Sequence, residues 1–119
     1  MKKGIKTNPR LVSLIEELKR VAHEHDAAIW RDIARRLEKP RRNYAVVNLS
    51  RINRYSGEND TIVVPGKVLS VGTLQKPVTI AALGFSKKAY EKVSSIGKGI
   101  SIEELIRDNP RGTGVKIIV

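Results

Sequence analysis

Cysteine is absent from the 119 residues, so neither a disulfide framework nor a thiolate metal site is available, as fits a reducing compartment. Aromatic side chains are nearly as scarce: one Trp, one Phe and three Tyr, or 4% of the chain. With so few stacking platforms, any RNA binding must rely on phosphates, sugars and shape more than on splayed bases. No apolar run approaches the roughly 20 residues that cross a bilayer. The basic start from Met1 to Pro9 also lacks the apolar centre of a signal peptide, so a soluble, cytoplasmic protein without a membrane partner is expected. Carboxylates are the last shortage. Twelve Asp and Glu face 23 Lys and Arg, a net charge of +11. A folded chain of this length repels itself at that charge unless an anion lies against it.

The surplus is uneven. Residues 1–57 hold 14 Lys and Arg against 6 Asp and Glu, net +8, and residues 58–119 hold 9 against 6, net +3. The first half is therefore the expected anionic-partner face. The length suits one domain, expected over residues 9–119 and preceded by a basic arm over residues 1–8.

Asn8-Pro9 pairs a capping residue with a first-turn proline. Leu11, Leu14, Ile15, Leu18, Val21 and Ala22 then recur at helical spacing to about Glu24. A second helix is expected from about Ala28 to Leu37, capped by Asp26. Ile29, Ile33 and Leu37 lie on one side with Trp30 and Ala34 beside them. Arg31, Arg35 and Arg36 occupy the outer surface, where Asp32 and Glu38 can pair with some of them. Trp30 is expected as a core anchor. Pro40 restricts Lys39 and stops the helix, so Lys39, Arg41 and Arg42 crowd a short connection. Helix carbonyls offset only part of that repulsion, and phosphate is the expected counter-charge.

Ala45 to Tyr55 reads as a strand that passes at Asn48 into one or two helical turns, with Asn48 either capping them or meeting RNA. Arg51 and Arg54, three apart, share the helical face. Ser56 to Asp60 is a turn, Thr61 to Val64 a buried strand, Pro65-Gly66 a turn, and Lys67 to Val71 another strand. Gly72 to Pro77 forms a loop before a central strand from Val78 to Leu83. Ser86 caps a helix that Gly97 ends, with Ala89, Val93 and Ile96 inward alongside Tyr90. Ser101 and Glu104 make a capping box for a last helix, Ile102 to Asp108. A flexible link from Arg111 then leads to a terminal strand. Pattern alone supports a mixed α/β fold.

No catalytic constellation is present. His23 and His25 do not share a helix face and have no third histidine to complete a metal site. Asp26 and Asp32 near the basic turn fit capping and ion pairing better than a metal-dependent nuclease pair. Gly112 and Gly114 lack the strand, helix and Gly-Lys-Ser/Thr of a nucleotide loop. No cofactor, metal or small-molecule substrate is expected. The first two helices superficially mimic a helix-turn-helix DNA-binding regulator. Its recognition helix, however, would spend Ile29, Trp30, Ile33 and Leu37 on packing and carry its cations at the wrong end.

Leu37, Pro40-Arg41, Ala45, Val47-Asn48-Leu49 and Arg51-Ile52 form a long, irregular motif. It resembles the signature of the eighteen-e family of large-subunit ribosomal proteins of archaea and eukaryotes, related to bacterial large-subunit protein fifteen. Val64-Pro65-Gly66-Lys67-Val68-Leu69, Pro77-Val78-Thr79 and Asn109-Pro110-Arg111-Gly112 extend the likeness along the chain. Where the family carries a basic residue, this chain has Tyr44, a departure that removes a charged phosphate contact at this position and leaves room for a stacking contact on a base. The resemblance implies an α/β fold, an irregular superhelical stack of strand, strand and helix units with the N-terminal helices packed on one side. It also implies a non-catalytic place in the cytoplasmic ribosome beside large-subunit rRNA and neighbouring ribosomal proteins. Lys39, Arg41, Arg42, Arg51 and Arg54 are then expected to neutralise phosphates, with Asn43, Asn48, Lys67, Arg111 and the arm residues Lys2, Lys3 and Lys6 adding contacts.

Overall fold

A computed structural model describes residues 8–119, so the arm residues Lys2, Lys3 and Lys6 lie outside the described residues. Helix α1 spans Pro9–Glu24, and the Asn8 side chain accepts the Arg10 amide at 2.9 Å as its cap. Its buried residues are Leu11, Leu14, Ile15, Leu18, Val21 and Ala22, the expected stripe. Helix α2 spans Ala28–Leu37 and buries Trp30, Ile33, Ala34 and Leu37. Asp26 does not cap it: the N-cap is Ala27, without a side-chain hydrogen bond. Asp26 instead has φ 50, because the chain must reverse between the helices and Asp is among the few non-glycine residues that tolerate the left-handed region.

After α2, a 3-10 turn over Arg41–Asn43 leads into strand β1, Ala45–Asn48, and directly into helix α3, Leu49–Tyr55. Strand β2 is Thr61–Leu69, β3 is Thr79–Phe85, and helix α4 is Lys87–Ile96. Strand β4, Lys98–Ser101, helix α5, Ile102–Asp108, and strand β5, Val115–Ile117, complete the chain. All pairings are parallel. β3 takes one edge of β2, while β5 pairs with Thr61 to Val63 and β1 with Gly66 to Leu69 along the other.

Helices cover both faces of this sheet, as a parallel sheet requires. On one side α1, α2 and α5 close over Val63, Ala81 and Ile100. On the other, Leu49, Ile52, Ala89 and Val93 close over Ile62, Val64, Val68, Ile80 and Ala82. Consecutive residues Ile62, Val63 and Val64 alternate between the two cores, the period-2 rule of a strand buried on both faces.

Pro65-Gly66 is no turn; it lies inside one nine-residue strand. The register against β3 slips between Val64 and Lys67, and an irregularity is where a residue without an amide hydrogen is tolerated. A Cβ on Gly66 would lie 1.9 Å from the Ala45 carbonyl oxygen, so glycine lets β1 close on β2. β4 has no sequence signature of its own. It forms because α4 delivers the chain onto the β3 edge, where a Cβ at Gly97 would lie 2.1 Å from the Val78 oxygen.

Ser86 and Ser101 cap α4 and α5 as expected, accepting the amides of Ala89 at 3.2 Å and Glu104 at 3.1 Å. Only Ala89 and Val93 of α4 are buried. Ile96 and Tyr90, expected inward, are 36% and 50% exposed. Two small residues set the contact face, and Tyr90 turns aside to meet Phe85 edge-on at 5.8 Å. The link after α5 is a hydrogen-bonded turn rather than an open tether: Asn109 bonds to Thr113 and Gly112, and Trp30 Nε1 donates to the Pro110 oxygen at 2.8 Å.

Candidate nucleic-acid interface

With few acids in the chain, the pairing of each one decides which cations remain available. Glu103 binds Arg10 at 2.9 Å, Glu38 binds Lys19, Asp32 binds Arg36 at 3.0 Å, and Asp60 binds Lys116 at 2.8 Å. Arg20 takes Glu24, and Glu17 lies near both Arg20 and Arg107. Arg31, Arg35, Arg41, Arg42, Arg54, Lys67 and Arg111 have no carboxylate partner among the described residues, as is also true of Lys87, Lys88 and Lys98. All of these are exposed.

The basic turn is anchored by its neighbours. The Lys39 amide donates to Arg36, Asn43 to Pro40 and Tyr44 to Arg41. The Tyr44 hydroxyl donates to the Leu37 oxygen at 2.6 Å while its half-buried ring packs on the core. Position 44 is therefore a tether that holds Arg41 to Asn43 at the end of α2. The phenol also satisfies one of the carbonyls a helix end leaves bare.

Three depressions follow one another from this turn, each sharing a lining residue with the next. A groove of about 510 Å³ is lined by Arg10, Arg41, Val46, Lys67, Gly84 and Phe85 among others, and no carboxylate lines it. Ala45 borders it and a smaller hollow that holds Lys39, Asn43 and Arg36. Val119 borders that hollow and a third depression with Arg51, Tyr55 and Lys116. Lys67, distant in sequence, thus joins Arg41. Arg51 donates from Nε to the Val119 oxygen at 2.8 Å and lies 5.2 Å from the centre of the Tyr55 ring, a cation–π contact that fixes the stem. Its two terminal nitrogens carry no further bond among the described residues.

Other expected contacts lie apart from this track. Arg54 is exposed on α3. Asn48 does not cap α3; its side-chain oxygen accepts the Val71 amide at 3.2 Å, since a strand running straight into a helix has to pin the loop that passes beside it. Arg111 sits in the tail turn that Trp30 holds, and it lines none of the three depressions. Arg31 and Arg35, one helical turn apart on α2, are also exposed and without a carboxylate partner among the described residues. Glu38 looked available to them, but it pairs with Lys19 of α1, 19 residues away.

Two of the ion pairs shift titration. Burial pushes the Glu103 carboxyl up, yet the hydrogen bond and charge of Arg10, its own amide and Arg107 hold it below its ordinary value. Its bond in turn raises Arg10. A hydrogen bond from Lys116 and another from the Gly57 amide lower Asp60. Each of these acids is thereby committed to scaffold contacts.

Residues 1–119 match the family model described as ribosomal protein 60S L18 and 50S L18e. The chain is 54% identical over 113 residues to large ribosomal subunit protein eL18 of Haloarcula marismortui, covering 95% of this chain and 97% of the relative. It is 55% identical over 114 residues to the eL18 of Methanoregula boonei, covering 95% and 94%. With the eL18 of Methanothermobacter thermautotrophicus it shares 44% over 119 residues, covering 99% and 98%.

Proposed function

Since this chain belongs to the family of ribosomal protein 60S L18 and 50S L18e, we propose that its linked cationic depressions are the surface on which folded large-subunit rRNA is held. The protein is a structural constituent of the large subunit of the cytoplasmic ribosome and not an enzyme. Its partners are the rRNA and neighbouring ribosomal proteins. The observation that carries the RNA reading is the division of charge: the carboxylates that form ion pairs, Glu17, Glu24, Asp32, Glu38, Asp60 and Glu103, hold Arg10, Lys19, Arg20, Arg36, Arg107 and Lys116, while Arg41, Arg42, Arg54 and Lys67 keep their charge unmatched among the described residues.

Phosphates of converging rRNA segments repel one another. Cations presented by the basic turn, strand β2 and helix α3 neutralise that repulsion and release condensed counterions. Arg41 and Arg42 suit bidentate phosphate contact, and Lys39 and Lys67 act as point charges. Asn43 adds a neutral hydrogen-bonding group, Arg51 and Arg54 extend the contact along α3, and Arg111, Lys2, Lys3 and Lys6 supply peripheral charge. Residues 9–119 act as one rRNA-binding domain with residues 1–8 as its basic arm. The DNA-regulator alternative is disfavoured by α2, which buries Trp30, Ile33, Ala34 and Leu37.

The test is the salt dependence of binding to large-subunit rRNA. Arg41→Ala combined with Arg42→Ala should flatten the log–log slope by about two charge units and leave thermal unfolding nearly unchanged. An unaltered slope removes the turn from the interface.

A further inference from the structure

Nothing in the fold requires glycine at position 84. Its backbone is not among the positive-φ glycines, and a Cβ added there would meet nothing within 4 Å. Gly66 and Gly97, by contrast, are pressed against neighbouring backbone. A glycine inside a strand weakens it, so one with no steric or conformational need points to a use for the space.

That space has a definite character. Gly84 is in register with Lys67, and Lys67 with Val46, so the three lie abreast across β3, β2 and β1. Residues abreast in a sheet project from one face. Here that face is open, with Val46 64% exposed. A side chain at 84 would stand in the groove of about 510 Å³, whose lining carries Arg10, Arg41 and Lys67, apolar Leu83 and Phe85, and no carboxylate. Arg10 is occupied by Glu103 and the Leu83 oxygen, leaving Arg41 and Lys67 to meet an anion.

On the premise that the protein holds rRNA, we infer that this groove receives one unstacked rRNA nucleotide, its base against Val46, Leu83 and Gly84 and its phosphate met by Arg41 and Lys67. An apolar floor beside two unmatched cations fits a flat base joined to an anion. The volume falls within the roughly 300–1,000 Å³ of sites that enclose small ligands.

Gly84→Val tests it, because the Cβ has room and a β-branched residue suits a strand. The variant should unfold at the same or a higher temperature and bind large-subunit rRNA roughly tenfold more weakly, the scale of one lost base contact. Its salt slope should match that of the wild type, since no phosphate contact is removed. Chemical probing of base edges should then identify a nucleotide protected by the wild type and not by the variant. An abasic residue at that position should weaken the wild type by the same factor and the variant no further. Equal rRNA affinity for wild type and variant overturns the inference, and if incorporation into subunits still falls, the groove belongs to a protein neighbour. Weakened binding without a base-specific footprint also overturns it, because the groove then takes RNA backbone alone. The Arg41 and Arg42 slope is a separate readout: flattened there with no effect of Gly84→Val, it leaves the rRNA interface standing and removes only the nucleotide.

Discussion

Arg35 and Arg36 are adjacent in the chain and differ entirely in electrostatic circumstance. Arg36 is bonded to Asp32, one helical turn away, whereas Arg35 and Arg31 are exposed and meet no acid among the described residues. Exposed ion pairs contribute only about 0.2–1 kcal/mol, so neither set matters much to folding. They differ in what an anionic partner gains. We expect Arg31→Gln with Arg35→Gln to reduce the rRNA salt slope, and Arg20→Gln, which sits between Glu17 and Glu24, to reduce it less; equal effects in binding titrations would mean that internal pairing does not select the contact residues. Titration of carboxylates follows the same division. Glu103 and Asp60 both titrate below their ordinary values in the folded protein. Near pH 4, where unperturbed carboxylates protonate, the unfolded chain therefore binds more protons than the folded one. Their stabilisation is complete above that range and is lost as pH falls through the lowered values. Thermal melts from pH 6 to pH 2.5 should show that loss, and Asp60→Asn should make it shallower.

The elements divide by how local their causes are. α1 and α5 were legible because each carries its own cap and apolar stripe, and α2 through its stripe and the Pro40 stop, and Ser101→Ala should cost about 1 kcal/mol in urea unfolding. Trp30→Phe tests a contact that crosses elements: its indole is fully buried and its Nε1 reaches the Pro110 oxygen. That change should cost roughly 1–3 kcal/mol, since it leaves a carbonyl unpaired and a small void. β4 and the continuity of β2 were not legible, for they rest on partners distant in sequence. Lys98 to Ser101 is a strand because Thr79 to Ala82 lies beside it, and Pro65-Gly66 escapes its usual turn because β1 and β3 pair along both edges. The expected capping of α3 by Asn48 fails for the same reason: its side-chain oxygen takes Val71, 23 residues on, beyond any local capping rule. The loop after β2 is fastened in the same way, with Lys76 donating to the oxygens of Asn53 and Ser56 and Lys92 to those of Ser70 and Gly72.

For the molecule as a whole, two cores on one parallel sheet give a flattened body of 42 × 31 × 19 Å with broad surface for its mass. The charge of +11 works against that compact shape. Added salt should therefore raise the unfolding temperature at neutral pH by screening self-repulsion, and equimolar rRNA should raise it further by binding the folded state; a melting temperature insensitive to both would contradict this balance. The sequence alone pointed to an anionic partner through its charge balance and determined that the helices are amphipathic through the 3.6-residue spacing of their apolar residues, because neither charge balance nor periodicity needs knowledge of contacts. Which cations are held by carboxylates was decided only by tertiary structure: Glu38 reaching Lys19 and Glu103 reaching Arg10 are pairings between distant segments, and Lys67 comes to line one groove with Arg41 in the same way, because a side chain's neighbours are fixed by distance in space rather than by position in the chain.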